Sequence, residues 1–440
     1  MSLNTFKFHT PVILAVLLIA VLFASCSADD GNARSSDDDE DEKNMDASAG
    51  TDSDSDTDND GGVGDDERVK VDLEGVVYAP EGTLPIAGAL VYITNSMPDP
   101  IPEEAYCNEC ENMTGLKWTL TEPDGTFRLK EVLTGDRMIV VQKGQFRLVS
   151  DIKIGLQPLQ TVPSSMTTLP GETTADGRKD IPRIAVSADG QWDCIEDLLA
   201  KLGLGQTNAN GKLILGSEHF DIYNHAAMYP GYPQETELLN NKDLIDTYHM
   251  IFIPCIGSAQ QYKLLKDAAF VENIHDYVAK GGKWYGSCYA YDWVEQIFPE
   301  YIEFQGNDVA IGSAELGTDY NCAGTIYGDE LIQWLDVVEP GASPMAFPLE
   351  GAWVVADSVA PSVDNGMGPD GGPIEPIVWA TNNGAMGKPM TVTFPYGCGK
   401  VFFTAYHTVE TAAPIIRPQE KILTYLIMDI GVCSGDYIIE

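Results

Sequence analysis

The chain has 440 residues, 44% of them apolar, which is enough for about two to three domains with ordinary hydrophobic cores. Its formal net charge is −41, from 67 acidic and 26 basic side chains. Nucleic-acid binding needs clustered Lys and Arg, and the sequence contains no basic patch. The composition therefore argues against a nucleic-acid partner.

The N-terminus has the pattern of an export signal. Lys7 supplies a positive charge, and residues 12–23 form an apolar run. This run is too short for a permanent helix across a hydrocarbon core of about 30 Å, and its length fits a signal peptide. It ends in Leu22-Phe23-Ala24-Ser25-Cys26, which resembles the bacterial lipobox.

The lipobox resemblance implies that residues 1–25 are removed and that Cys26 is acylated and anchored in membrane lipid. Ser27, and not Asp, follows the Cys, and this pattern resembles the outer-membrane sorting signal of lipoproteins. We therefore expect a lipid-anchored protein of the cell envelope, at the outer membrane. An ordinary cleaved signal peptide is the alternative.

Residues 26–68 are predicted to form an acidic, flexible stalk. Residues 29–67 hold 17 Asp or Glu against only Arg34 and Lys43, with almost no large apolar side chain. Such a segment cannot bury enough surface to offset its chain entropy, and like charges extend it.

One part of this stalk matches the spacing of a calcium-binding loop. Carboxylates at Asp56, Asp58, Asp60 and Glu67, with Gly61 between them, follow the EF-hand pattern. The sequence predicts a weak Ca²⁺ site here and no other cofactor. The alternative is a chance match in an Asp-rich run that lacks flanking helices.

From Val69 the sequence changes to short strands separated by turns. Alternation without a helical period is typical of an antiparallel β-sandwich. We predict a sandwich domain over 69–157, followed by a linker over 158–182, which is rich in Pro, Thr, Ser and Gly. The predicted strands lie at 69–73, 75–78, 87–93, 117–121, 126–129, 138–142 and 146–149.

The segments GVVY, PIAGALVYI, TEPDGTFRL and VLTG within residues 75–135 resemble the carboxypeptidase regulatory-like, transthyretin-like fold. Domains of this kind serve as spacers or binding modules and group with starch-binding-like domains. The resemblance implies a β-sandwich and is compatible with carbohydrate binding.

Cys107 and Cys110 form a Cys-x-x-Cys pattern on a predicted loop of the sandwich. Zinc would need a second pair of ligands, and a thioredoxin-like role would need a strand followed by a helix. In an oxidising compartment, a local Cys107–Cys110 disulfide is the remaining prediction.

Residues 183–440 alternate between strands and helices, which is typical of a parallel α/β sheet. The predicted strands lie at 184–186, 213–216, 250–254, 283–286, 390–394 and 400–406. The predicted helices lie at 193–202, 264–279, 292–298 and 419–430. The predicted fold class is therefore multidomain, an antiparallel β-sandwich followed by an α/β domain.

Gly286-Ser287-Cys288-Tyr289-Ala290 lies where a predicted strand meets a helix. A sharp turn there exposes a nucleophile and aims backbone N–H groups at an oxyanion. His407 follows a late strand, and Glu410 comes soon after it. This order resembles the class I glutamine amidotransferase-like fold, which implies Cys288 as nucleophile, His407 as base and Glu410 as the orienting residue.

The sequence departs from that family in ways that favour a non-catalytic protein. Ala290 stands where the family has Gly, and His407 and Glu410 are three residues apart where the family has two. The run GGKWYGSCYAYDWVEQIFP also resembles a group of deltaproteobacterial and myxobacterial lipoproteins, in which Asp is expected at the position of Cys288. An Asp could not begin a thioester mechanism.

We therefore expect a non-catalytic, membrane-anchored lipoprotein with a binding or architectural role in the envelope. The partner would be a polysaccharide or an envelope protein. Aromatic residues around the Cys288 turn could line a sugar cleft, although aromatic residues at such spacing more often belong to the core. They are Tyr285, Tyr289, Tyr291 and Trp293. The alternative is a cysteine hydrolase or amidase that uses Cys288, His407 and Glu410.

Overall fold

The computed structural model describes residues 69–431 apart from 111, 189, 191, 226–227, 256–262, 307–309, 313–315, 355, 369–370, 384–386 and 409–412. The predicted signal peptide, Cys26 and the stalk with its calcium ligands Asp56, Asp58, Asp60 and Glu67 lie outside the described residues. Glu410 lies outside them as well. These expectations stay predictions.

The first half of the described chain forms two small sheets, as the alternating pattern predicted. The three-stranded sheet has the order β4-β1-β7, from strands β1 (Lys70–Val76), β4 (Thr126–Leu133) and β7 (Leu159–Thr161). The five-stranded sheet has the order β3-β2-β5-β6-β8, from strands β2 (Leu90–Thr94), β3 (Lys117–Leu120), β5 (Gly135–Lys143), β6 (Phe146–Ile154) and β8 (Lys179–Asp180). All pairs are antiparallel except β1 with β7. We call these two sheets the β layers.

Residues 158–182 are not the predicted linker. They contribute strands β7 and β8 to the two sheets, and Val162, Leu169 and Ile181 are buried. The Val162 amide donates to the Glu74 carbonyl at 2.7 Å. Pairing with strands already present holds these short strands, so their Pro- and Thr-rich composition did not reveal them.

The second half forms one nine-stranded mixed sheet in the order β10-β9-β11-β12-β19-β18-β17-β14-β15. Its parallel half contains β9 (Ile184–Ala188), β10 (Asp221–Asn224), β11 (Met250–Ile253), β12 (Lys283–Ser287) and β19 (Gly399–Thr404). Its antiparallel half contains β14 (Leu316–Ile326), β15 (Phe347–Val354), β17 (Ile377–Asn382) and β18 (Pro389–Tyr396). A separate pair is formed by β13 (Ile302–Phe304) and β16 (Ala356–Val359).

The α-helices span Ile195–Leu199, Glu235–Leu239, Lys242–Asp246, Ala268–Ala279, Asp292–Glu295, Asp329–Val338 and Pro418–Ile430. A π-helical turn over Ala200–Leu204 continues the first of them to a left-handed Gly203. None of the described helices is long and apolar enough to cross a membrane.

The prediction of a parallel α/β sheet is confirmed for five strands and is wrong for the other half of the sheet. The predicted strand at 213–216 is also wrong. Ile214 and Leu215 are 44% and 46% exposed there, and the chain turns. The neighbouring strand is β10 instead, where Ile222 and Tyr223 face the core.

The β layers and the mixed sheet share one hydrophobic core in the described chain. The Trp334 indole donates to the Pro85 carbonyl at 2.8 Å, which joins a helix of the α/β half to a turn of the β layers. A disulfide between Cys107 and Cys398 ties the same two parts together.

The predicted Cys107–Cys110 disulfide is therefore wrong. The loop that carries Cys107 lies against the α/β half, where the Ala105 amide donates to the Asp246 carbonyl at 2.9 Å. This contact directs Cys107 to Cys398, in the turn between β18 and β19. Cys110 is also disulfide-bonded.

Candidate functional site

The candidate site lies where three neighbouring parallel strands end. Strands β11, β12 and β19 are adjacent in the sheet, and Cys255, Cys288 and His407 lie two, one and three residues beyond their respective ends. The carboxyl ends of parallel strands meet at one edge, which is where open α/β sheets place their sites. One donor atom of each side chain lies within 4.8 Å of the other two. We call these three residues the Cys-Cys-His cluster.

The cluster is almost closed to solvent. Cys288 is fully buried, and Cys255 and His407 are each 8% exposed. Both cysteines are free thiols. The arrangement can therefore offer two sulfurs and one imidazole nitrogen to a single small ligand.

Cys288 lies at the predicted strand-to-helix turn and has a strained backbone there. Its φ is +45°, and among the described non-glycine residues only Glu131 shares a positive φ. The strand β12 ends at Ser287, and a 3₁₀ turn begins at Cys288. A non-glycine residue in this conformation costs of order 1–3 kcal/mol, and such residues concentrate at functional sites.

Cys255 is the member of the cluster that the sequence analysis missed. Its thiol is in hydrogen-bond contact with Cys288 and with His407. The Tyr289 amide also donates to Cys255 Sγ at 3.4 Å. The contact with Cys288 and burial raise the pKa of Cys255 well above its usual value, although His407 acts in the opposite direction. The position directly after a buried strand was the available signal.

The backbone at His407 is fixed from two sides. The Gln419 side-chain amide donates to the His407 carbonyl. The amide and hydroxyl of Thr408 donate to Asp193 Oδ1 at 2.8 and 2.6 Å. Gly351 packs against the imidazole, since a Cβ added there would lie 3.3 Å from Nδ1. These contacts hold the ring at the sheet edge.

Buried acidic side chains adjoin the cluster near the ends of β9, β10 and β12. Ser287, the last residue of β12, donates to Asp193. Ser187 in β9 donates to Glu235 at 2.8 Å, and Glu235 pairs with His225 Nδ1 at 2.8 Å. Burial raises the pKa of Glu196 to about 8, and the Tyr229 hydroxyl donates to it. Glu196 therefore keeps its proton to a higher pH than an exposed carboxyl does.

The aromatic residues around Cys288 do not form an open sugar cleft. Tyr285, Tyr291 and Trp293 are buried, and Tyr289 is half-buried. A different concave surface lies on the β layers, between the edges of β3 and β4. This groove has a volume of about 930 Å³, and Lys117, Trp118 and Arg128 are among its lining residues.

The structure thus brings together Cys288 and His407 of the predicted sites and adds Cys255. Cys107 belongs to an interdomain disulfide. The Cys-Cys-His cluster is also the only group of this kind with metal-binding donors close together among the described residues.

No family model matches the chain. No curated protein matches it either.

Solved structures do match. A cytoplasmic protein of Salmonella typhimurium LT2 is 17% identical, with a TM-score of 0.32 over 56% of this chain and 96% of its own. A protein of Bacteroides uniformis described as ThuA-like is 13% identical, with a TM-score of 0.30 over 56% and 89% of the two chains. A β-galactosidase of Bacillus circulans is 12% identical, with a TM-score of 0.31 over 57% of this chain and 31% of its own. These low values decide neither the family nor the function.

Proposed function

We propose that this protein is a membrane-anchored envelope protein whose α/β half binds a ligand at the Cys-Cys-His cluster without turning it over. The observation that carries the proposal is the contact of the Tyr289 amide with Cys255 Sγ. In a strand-turn-helix nucleophile site, the N–H after the nucleophile stabilises the oxyanion. Here that N–H already has an acceptor.

Without the Tyr289 N–H as an oxyanion donor, acyl transfer at Cys288 would be slow. Removing one oxyanion-hole donor costs about 10²–10³ in turnover in a well-studied protease. The buried Cys288 side chain adds a second obstacle, because a substrate carbonyl has to reach its sulfur. Both features support a binding role.

The test is thiol labelling of the full chain in detergent under non-reducing conditions, mapped by mass spectrometry. We expect Cys288 to label slowly, and no faster in the wild type than in His407→Ala. Cys322 is a free thiol on a partly exposed strand position and serves as the internal reference. Rapid labelling of Cys288 that is lost in His407→Ala would overturn the non-catalytic role.

A cysteine hydrolase or amidase is the second candidate function, and it has its own supporting observation. Cys288 combines a φ of +45° with a His407 nitrogen within 4.8 Å of its sulfur. This proposal requires Cys255 to move away from the Tyr289 amide. It predicts that Cys255→Ala raises hydrolysis of small thioesters and amides, whereas Cys194→Ala does not.

The proposed anchor rests on the sequence Leu22-Phe23-Ala24-Ser25-Cys26. We expect the wild-type chain to enter the detergent phase in a phase-partitioning assay. Cys26→Ser is expected to be released from membranes or to remain uncleaved. Unchanged partitioning of this variant would contradict acylation of Cys26.

The fold relationships stay proposals as well. We infer a carboxypeptidase regulatory-like domain in the β layers and a class I glutamine amidotransferase-like domain in the α/β half. The parallel order β9-β11-β12-β19 and the Cys288 turn support the second relationship. An experimental structure with a different strand order in this sheet would refute it.

Carbohydrate binding is proposed for the groove on the β layers. Trp118 lines it beside Lys117 and Arg128, and an aromatic face next to polar side chains suits a sugar ring. Affinity electrophoresis in polysaccharide gels should show retardation that Trp118→Ala removes. Trp192→Ala is the matched control, because Trp192 is 60% exposed and does not line the groove. Equal mobility with and without every polysaccharide would reject this role.

A further inference from the structure

We propose that Cys255, Cys288 and His407 bind one thiophilic metal ion, Zn²⁺ or Cu⁺, through two thiolates and one imidazole. The inference deepens the proposed binding function, on which it rests, by naming the ligand. Cys288 and His407 were predicted from the sequence as catalytic residues, and the fold adds Cys255 as a third donor.

The donor set selects the class of metal. Thiolate and imidazole ligands suit Zn²⁺ and Cu⁺, whereas Ca²⁺ and Mg²⁺ need oxygen ligands. Two Cys and one His form a known zinc ligand set that leaves a fourth position open. Zinc bonds of about 2.3 Å to sulfur and about 2.0–2.1 Å to nitrogen place such donors roughly 3.5–4 Å apart. The cluster already holds its donors within 4.8 Å of one another.

The backbone presents these donors from a rigid frame. Strands β11 and β12 pair through Ile253 and Gly286, and β12 pairs with β19 through Ser287 and Thr404. Each ligand follows the end of a strand that is hydrogen-bonded on both sides. Sites built on such elements are held more accurately than sites on free loops.

Binding of a cation at this cluster leaves protons and electrons balanced. On binding, each thiol loses its proton to solvent, and the two thiolate sulfurs and the imidazole donate electron pairs to the ion. No oxidant or reductant takes part in this step.

His407 is prepared for such a role by its surroundings. Gln419 and the Thr408–Asp193 contact fix its backbone, and Gly351 packs against its ring. Metal-binding His residues are normally oriented by neighbours in this manner. The contact of the Tyr289 amide with Cys255 Sγ fits a thiolate, since N–H donors commonly stabilise metal-bound sulfur.

The test uses the full chain, purified in detergent under reducing conditions and stripped with a chelator. Co²⁺ serves as the spectroscopic probe for the zinc site. We expect one equivalent of Co²⁺ to produce sulfur-to-metal charge-transfer absorption and the visible bands of tetrahedral cobalt. One equivalent of Zn²⁺ should then abolish both. Competition with a coloured Cu⁺ chelator distinguishes Cu⁺ as the preferred ion.

Variants identify the ligands. Cys255→Ser, Cys288→Ser and His407→Asn should each weaken Co²⁺ binding at least ~100-fold, because each removes a direct ligand. Cys322→Ser is the matched control and should bind as the wild type does, since this free Cys lies outside the cluster. Zn²⁺ should also raise the melting temperature of the wild type and the control, and not that of Cys288→Ser.

Three results would overturn the proposal. The first is no charge-transfer band with excess Co²⁺ while a thiol count in denaturant finds both cysteines reduced. The second is an unchanged band in Cys255→Ser. The third is a Cys255–Cys288 disulfide that re-forms in air without any metal uptake after reduction. Failure of the non-catalytic function is separate, because it is detected by Cys288 labelling of the metal-free chain.

Discussion

At the scale of single residues, Cys288 carries the most demanding backbone position of the site. Its φ of +45° is one that glycine adopts freely and other residues adopt at a cost. The side chain is fully buried and contacts Cys255. The backbone strain therefore coincides with the position that places the Cys288 sulfur beside the other donors of the cluster. The strain can be measured by substitution.

We expect Cys288→Gly to be more stable than Cys288→Ala by about 1 kcal/mol, because both variants lose the thiol and only Ala keeps the unfavourable φ. The comparison uses the free energy of unfolding in urea. The same pair at Cys194 is the control. Its φ is −96°, so there Gly should be the less stable variant. Equal stability of the two Cys288 variants would contradict the positive φ.

Glu196 offers a second test at this scale. Its pKa in the folded chain, about 8, lies above the usual value of 4.5 because of burial. Between these two pH values the folded state keeps a proton that the unfolded state loses. The free energy of unfolding should therefore fall as pH rises from about 4.5 to 8, by on the order of 5 kcal/mol.

Glu196→Gln should remove this part of the pH dependence, since the amide cannot ionise. Urea unfolding at pH 5 and pH 8 measures the change for both chains. Glu303→Gln, on an exposed position of β13, should behave as the wild type. If Glu196→Gln keeps the wild-type slope of unfolding free energy against pH, the Glu196 carboxyl is not the source of this pH dependence.

At the scale of elements, the local patterns predicted the strands that build the site. Alternation in β1 to β6 and the apolar runs of β9, β11 and β12 are properties of short segments, and they appear in the structure at the expected places. The turn at Cys288 was also predictable, because it needs only a strand followed by a helix start, whereas its positive φ was not.

What the sequence could not supply is the pairing of distant segments. Strands β14, β15 and β17 join the sheet by antiparallel pairing over long separations, and β7 and β8 depend on partners already in place. Cys255 becomes part of the site only because β11 lies beside β12. The Cys107–Cys398 bond likewise depends on a loop that docks on the other half.

The disulfide gives the prediction at this scale. It closes a loop of 291 residues, so its removal should release much chain entropy in the unfolded state. Cys398→Ser is expected to lower the free energy of unfolding by about 2–5 kcal/mol, measured in urea without reductant. Cys322→Ser, at a free thiol, should change it little. Peptide mapping that recovers Cys107 joined to Cys110 would contradict the bond itself.

At the scale of the whole molecule, the β layers and the α/β half behave as one body. Lys143 on β5 pairs with Asp429 in the last helix at 3.1 Å, and both cores are continuous. The His249 side chain also links the two halves through two hydrogen bonds, which we call the His249 clip. Its Nδ1 accepts the Arg183 amide at 2.8 Å, so Nε2 carries the proton and donates to the Pro102 carbonyl at 2.8 Å.

This clip should respond to acid. Burial, with smaller contributions from Lys283 and Arg183, lowers the pKa of His249 to about 4, although its hydrogen bond to the Pro102 carbonyl opposes the shift. A second proton, on Nδ1, would point at the Arg183 N–H, so Nδ1 could no longer accept that hydrogen bond. The unfolded state takes up a proton near pH 6.5, and the folded state resists it until about pH 4. Stability should therefore fall as pH drops through this window, by on the order of 1–3 kcal/mol.

Glu196 and His249 act in opposite directions over part of the same pH range, so the wild-type curve alone cannot separate them. The difference between the wild type and His249→Gln isolates the clip, because Gln takes up no proton. This difference should shrink from pH 7 to pH 4. His275→Gln is the control, since His275 stacks on Tyr396 within the α/β half. A constant difference across the range would mean that the clip does not couple the two halves to pH.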